Sequence, residues 1–144
     1  MEFRNILVAF DSSSFASRAF KNALEIADPN SSKITIATVV TGIYQPSIGF
    51  SMKYSKELLE KHSKILKKIF SGLQAQAQKK GLSLTLKILY DPSVSKAILN
   101  YVNSQKFDLV VIGSHGRTGI NKVILGSVAN EVTQKAKCPV MVVK

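Results

Sequence analysis

Five short apolar runs of β type alternate with longer segments of helical spacing along the whole chain, and that alternation restricts the fold to helices packed around a parallel sheet. Residues 5–10, Asn-Ile-Leu-Val-Ala-Phe, are almost continuously apolar, as a strand buried on both faces requires. The run stops at Asp11, and Ser12-Ser13-Ser14 supplies caps for a helix whose Ala16, Ala19, Phe20, Ala23 and Ala27 make a narrow packing face. Residues 34–40 are rich in β-branched side chains and form the second strand. Gly42, Pro46 and Gly49 make residues 41–50 a loop. A long helix follows over residues 52–80, with Leu58, Leu59, Ile65, Leu66, Ile69, Phe70, Leu73 and Ala77 as its apolar stripe, and Gly81 ends it. Residues 82–89 alternate in the manner of an edge strand, and Asp91-Pro92-Ser93 opens another helix. Residues 107–112 and 140–143 are the fourth and fifth strands. The helix between them spans residues 120–136, with Val123, Ile124, Val128, Val132 and Ala136 on its inner face.

Residues 1–144 read as one domain, because no Pro-, Gly- or Ser-rich linker and no repeat divides them. Hydrophobic residues make up 45% and charged residues 20%, which excludes a disordered chain. No apolar run approaches the ~20 residues needed to cross a bilayer, and the N-terminal stretch lacks the form of a secretory signal, so a cytoplasmic protein with no membrane partner is expected. The single cysteine, Cys138, reads as a buried structural thiol. The net charge of +11 favours contact with phosphates or nucleic acid, yet much of it is local, since residues 51–80 carry eight lysines against Glu57 and Glu60. Those lysines are spread around several sides of the helix, with only Tyr54 and Phe70 as aromatic platforms. A solvated face is therefore favoured over a nucleic-acid surface. His62 has no second metal-type residue at a useful spacing, so no metal site built by the protein is expected.

The segment that carries chemistry follows the fourth strand: Gly113-Ser-His-Gly-Arg-Thr-Gly119, then Ile-Asn-Lys-Val-Ile-Leu-Gly126-Ser127. A loop at the carboxyl end of a parallel strand is where open α/β sheets bind ligands, and glycines there let backbone N–H groups converge on an anion. A helix starting at Gly126-Ser127 would turn its positive end toward that anion. Plain turn roles remain open for Gly113 and Gly116. Asp11 is open between a helix cap and a ligand contact, and His115 between a ligand contact and simple exposure. Arg117 and Lys122 are candidates for screening phosphate charge. The P-loop pattern is absent, and no Gly-x-Gly-x-x-Gly follows the first strand.

The spacing Gly113-x2-Gly116-x9-Gly126-Ser127 resembles the nucleotide-binding signature of the universal stress protein family, in its ATP-binding branch. The resemblance extends over nearly the whole chain, through Ile6-Leu-Val-Ala-Phe-Asp11-Ser-Ser, Asp91-Pro92, Asp108-Leu-Val-Val-Ile-Gly113-Ser-His-Gly and Cys138-Pro-Val-Met-Val-Val143. It implies a Rossmann-like α/β fold: an open five-stranded parallel sheet of order 3-2-1-4-5 with helices on both faces. ATP or another adenine nucleotide, bringing any Mg²⁺ with it, would lie across the ends of strands 1 and 4. By the same resemblance Asp11 would contact the adenosine part and Val39 would present backbone groups to the adenine edge. Gly113 and His115 would lie near the ribose and phosphates, Gly116 and Gly126 would allow close backbone approach, and Ser127 would bind phosphate. Ala9, Ile112 and Val128 complete the implied set. Ala9 stands where the family often has Pro, Tyr90 where it often has Gly, and Ala129 where some members offer a hydroxyl.

The implied function is that of a stress-response sensor or regulator, a homodimer paired through the last strand. Hydrolysis needs a positioned base and charge stabilisation at the transferring phosphate, and no acid–base pair is visible, so turnover is expected to be slow or absent. The competing readings are a slow ATPase of the same fold and a basic nucleic-acid-binding or scaffold protein whose glycine loop is only structural.

Overall fold

The apolar run that opens the chain becomes the central strand of the sheet. In the computed structural model, which describes residues 2–45, 49–51, 56–118 and 124–144, Asn5–Ala9 form β1. Along the chain follow α1 (Ser14–Ile26), β2 (Lys33–Val40), β3 (Ile43–Gln45), β4 (Gly49–Ser51), α2 (Lys56–Gln78), β5 (Leu84–Tyr90), α3 (Val94–Ser104), β6 (Leu109–Gly113), α4 (Ser127–Lys135) and β7 (Val140–Val143). The main sheet has the order β5-β2-β1-β6-β7 with every pair parallel, which is the expected 3-2-1-4-5 arrangement of the five apolar runs.

Alternation along β1 divides the core between the two faces. Ile6 and Val8 pack with Phe20, Ile36, Leu73 and Val111 under α1 and α2, while Leu7 and Ala9 pack with Ala37, Ile98, Val110 and Val132 under α3 and α4. Each fully buried side chain of this kind contributes about 1.5–3 kcal/mol, so the doubly covered β1–β6 pair is the most strongly driven part of the fold. The Asp108 carboxylate accepts from the amides of Arg4 (2.8 Å) and Asn5 (3.0 Å) and seats the start of β1 beside β6. Ser13 Oγ accepts from the Ala16 amide at 3.0 Å and caps α1.

Three expectations are corrected. Residues 41–50 are not simply a loop, because β3 and β4 within residues 43–51 pair antiparallel; strands of three residues are too short for a period-2 pattern to register. On α2, Ile65 is half exposed while Leu73 and Ala77 are buried and Ile69 and Phe70 pack on the core, so the inner stripe is narrower than expected. The last helix begins at Ser127, and Ile124 is 74% exposed rather than on its inner face. A helix running from residue 120 would have carried Gly126 in its interior at a cost of about 1 kcal/mol, whereas Gly126 is the N-cap. Gly119, Ile120, Lys122 and Val123 lie outside the described residues, as do Pro46, Met52, Lys53 and Tyr54. Cys138 is half-buried against the α3–α4 core, and burial, followed by the Asp108 charge, pushes its thiol pKa up, away from the reactive thiolate.

One polar tie joins α3 to α4. The buried Ser95 hydroxyl donates to Glu131 Oε2 at 2.5 Å, and Lys135 Nζ donates to Glu131 Oε1 at 2.7 Å. Lys135 and then Ser95 hold the Glu131 carboxyl below the usual glutamate range. A depressed folded-state pKa stabilises the fold above the ordinary glutamate value, and the gain is lost as pH falls through the lowered one. Denaturant unfolding of Glu131→Gln is therefore expected to show a shallower loss of stability than the parent between neutral pH and about pH 3.5. Parallel pH profiles for the two proteins would count against the tie.

Candidate functional site

β1 and β6 are adjacent, but the chain leaves them toward opposite sides of the sheet, so their carboxyl-end loops part and leave a crevice. A cavity of about 520 Å³ lies there, within the range of small-molecule sites. Its inner wall is apolar, with Ala9, Ala37, Ile98, Ile112 and Ala129 all at most 9% exposed, and Val39 and Val94 join them. Its rim is polar and open, formed by Gly116, Arg117, Thr118 and Ser127. All ten expected site residues line this one cavity: Ala9, Asp11, Val39, Ile112, Gly113, His115, Gly116, Gly126, Ser127 and Val128. Arg117 lines it too; Lys122 falls outside the described residues.

The glycines also make room for neighbouring protein atoms. A Cβ on Gly113 would fall 2.7 Å from Phe15 Cβ and 2.8 Å from the Phe15 carbonyl carbon, so this glycine lets the first turn of α1 press against the end of β6. A Cβ on Gly126 would meet the Ser114 carbonyl oxygen at 3.0 Å, and one on Gly116 would meet Asp11 Oδ2 at 3.0 Å. In each case the missing side chain makes room for protein. These contacts draw the loop after β1, the loop after β6 and the start of α4 around the same space.

Asp11 is not the cap of α1, a role that falls to Ser13, but it leads into that cap. Its Oδ1 accepts from the Ser13 amide at 2.9 Å, an Asx turn leading into the α1 cap, while Oδ2 faces Gly116 across the crevice. Ser12 between them is held at φ +68°, a conformation costly for a non-glycine residue and found disproportionately at binding sites. His115 is neither simply exposed nor turned freely toward the cavity. It is half-buried, Nδ1 lies 3.0 Å from Ser114 Oγ, Nε2 lies 2.7 Å from the Ile124 carbonyl oxygen, and the ring packs on Phe15.

At the other end of the glycine segment, Gly126 caps α4 without a side-chain hydrogen bond, and the Asn130 amide is bonded to the Gly126 carbonyl. The N–H groups of Ser127, Val128 and Ala129 precede Asn130, the first residue whose amide donates within the helix, and these three residues stand at the cavity with the positive end of the helix behind them. The site thus offers an enclosed apolar wall for a planar ring and backbone donors for an anion. Those two features fit the nucleoside and phosphate ends of a nucleotide.

Among the lining residues that the sequence reading did not place at the site are Ala37, Thr41, Val94 and Ile98. A faint signal exists for Ala37, Val94 and Ile98. Ala37 pairs in register with Ala9, so two small side chains leave room side by side, and Val94 and Ile98 are spaced i, i+4 on the first turns of α3.

The family model for universal stress proteins matches residues 2–144. A universal stress protein of Methanocaldococcus jannaschii is 30% identical over 147 aligned residues, spanning 99% of this chain and 82% of its own. Among solved structures, universal stress protein UspA from Lactobacillus plantarum superposes with a TM-score of 0.82 at 26% identity, covering 100% of this chain and 99% of that one. The universal stress protein from Archaeoglobus fulgidus in complex with dAMP gives a TM-score of 0.70 at 23% identity, with 100% of both chains covered. The chain belongs to the universal stress protein family.

Proposed function

We propose that residues 1–144 act as one nucleotide-binding unit that holds an adenine nucleotide, ATP first among them, and serves in the cytoplasm as a ligand-loaded regulator of the stress response rather than as a fast enzyme. The observation that carries this reading is one cavity with a buried apolar wall on the sheet side and, at its rim, the start of α4, where no side chain takes up the first amides. The base lies against Ala9, Val39 and Ile112, with Val39 offering backbone groups to its edge, and Asp11 faces the ribose. The phosphates reach Ser127 and Val128 at the start of α4, beside Gly113, Gly116 and Gly126, and a Mg²⁺ ion is carried by the phosphates themselves. The dAMP complex of the Archaeoglobus protein supports the ligand class.

Slow turnover is supported by the acids and bases at the cavity. Among the described residues lining it, Asp11 is the one carboxylate and is tied to Ser13, and both His115 nitrogens are engaged within the protein. Mass spectrometry of the small molecules released from the purified, denatured protein tests the reading, with an adenine nucleotide as the expected result. An empty protein that also fails to bind added ATP, ADP, AMP or cyclic AMP would overturn it.

We also propose a homodimer paired through β7. The Pro139 and Val143 carbonyls accept from Val110 and Ser114, so by strand alternation the backbone groups of Val140 and Val142 point away from β6 along an open edge. All four β7 residues are half-buried, an apolar edge suited to pairing. Light scattering is expected to give a dimer for the parent and a folded monomer for Val142→Pro, which removes one outward N–H and leaves the β6 ladder intact. A monomeric parent at micromolar concentration would refute the pairing.

A further inference from the structure

We infer that His115 is a positioning residue that pins the segment leading into α4 against the end of β6 and so aims the start of that helix at the cavity. The Ile124 carbonyl can only accept, so His115 Nε2 carries the proton, and in the neutral ring Nδ1 accepts from the Ser114 hydroxyl. Ser114 is 3% exposed and fixed by its backbone as well. Its amide donates to the Val143 carbonyl at 2.7 Å, and its carbonyl accepts from the Gly126 amide at 2.8 Å.

The ring is held from its other side by α1. Phe15 packs on the imidazole with centroids 5.2 Å apart, and the Arg18 guanidinium stands 4.6 Å from the Phe15 ring while its Nε donates to the Lys144 carbonyl at 2.8 Å. One side chain at the start of the glycine segment thus bonds a carbonyl nine residues further on, two residues before the N-cap of α4. A residue that binds phosphate directly needs an N–H left to aim at it, and both nitrogens are already in use. The ring instead fixes Ile124, the neighbouring Gly126 amide stays on Ser114, and the first turn of α4 keeps its direction. Backbone donors are effective toward an anion only when held to within a fraction of an ångström, which is the service such a pin supplies.

The first test needs no ligand. Amide hydrogen exchange is followed at Gly126 in the free protein, with Val111 in β6 as the control for the whole fold. His115→Ala is expected to speed Gly126 exchange about tenfold with Val111 unchanged, and His115→Gln, whose side-chain amide can donate to the same carbonyl, is expected to restore most of the protection. Unchanged Gly126 exchange in His115→Ala overturns the assignment. So does equal acceleration in both variants, or acceleration shared with Val111.

The second readout rests on the function proposed above. AMP affinity is expected to fall about tenfold in His115→Ala and to recover in His115→Gln. Loss of AMP affinity with Gly126 exchange unchanged would make His115 a direct ligand and overturn the positioning role. A parent protein that binds no AMP would count against the proposed ligand class and leave the exchange result standing.

Discussion

Gly113→Ala is expected to destabilise the protein by about 3 kcal/mol, lowering its melting temperature by about 10 °C. The added Cβ would lie 2.7 Å from Phe15 Cβ, 2.8 Å from the Phe15 carbonyl carbon and 3.1 Å from the Ala16 amide nitrogen. Two of those atoms are backbone in the first turn of a capped helix and cannot swing aside as the end of a long side chain would. Relief requires α1 to lift from β6, and α1 carries Ala16, Ala19, Phe20 and Ala23 into the core. The same movement would carry Phe15 away from His115 and widen the crevice, so the loss of stability and a disturbance of the site arise from one displacement. Gly72→Ala is the matched control, since its Cβ would meet nothing within 4 Å on an exposed helical face, and it should stabilise by about 0.5–1 kcal/mol. Urea unfolding of both variants checks the pair. Equal midpoints would show that the approach of α1 to β6 is not what requires glycine at 113.

The second large effect concerns the ligand. Gly126→Val is expected to weaken ATP binding at least about 100-fold, equivalent to about 2.7 kcal/mol, while adenosine affinity falls much less. A Cβ at this position meets the Ser114 carbonyl oxygen at 3.0 Å and the His115 Cα at 3.3 Å, both backbone atoms of the strand end that the loop crosses. The Gly126 amide bonds that same carbonyl at 2.8 Å, so the new side chain would push apart the bond that seats the helix start. The backbone at Gly126, φ −59° and ψ 153°, is accessible to any residue, which makes the requirement one of space rather than of conformation. Moving the first turn of α4 would withdraw the Ser127 and Val128 donors from the phosphates of the proposed ligand and leave the buried wall of Ala37, Ile98 and Ile112 in place. Calorimetric titration with ATP and with adenosine separates the two ends. Undiminished ATP affinity in a folded variant would remove the start of α4 from the phosphate site.

The elements legible in the sequence are those where burial repeats along the chain. Residues 140–143 form the final strand as expected, a half-buried apolar run at the sheet edge, and the first strand, expected over residues 5–10, ends one residue earlier at Ala9; in β1 burial on both faces leaves a nearly continuous apolar run. Where packing is one-sided the pattern is weaker. Ile65 was indistinguishable from Leu66 by composition, and only the seating of α2 on the sheet decided which of the two faces solvent. The start of α4 was displaced because Val123 and Ile124 continue an apolar series that the fold does not use there, with Ile124 left 74% exposed.

For the site, the sequence by itself determined the glycine spacing and the acidic end of the first strand, and the family resemblance implied the sheet order that brings them near one another. Only the tertiary structure decided what each part does in space. It showed that Gly113, Gly116 and Gly126 make room for Phe15, Asp11 and Ser114, that His115 is bonded across its own loop, and that Ala37, Val94 and Ile98 complete the apolar wall. The physical reason is range. Periodicity and turn chemistry are set by neighbours a few residues away, whereas Gly113 meets Phe15 across 98 positions of chain, a contact that exists only after both faces of β1 are covered and the strands around it are fixed.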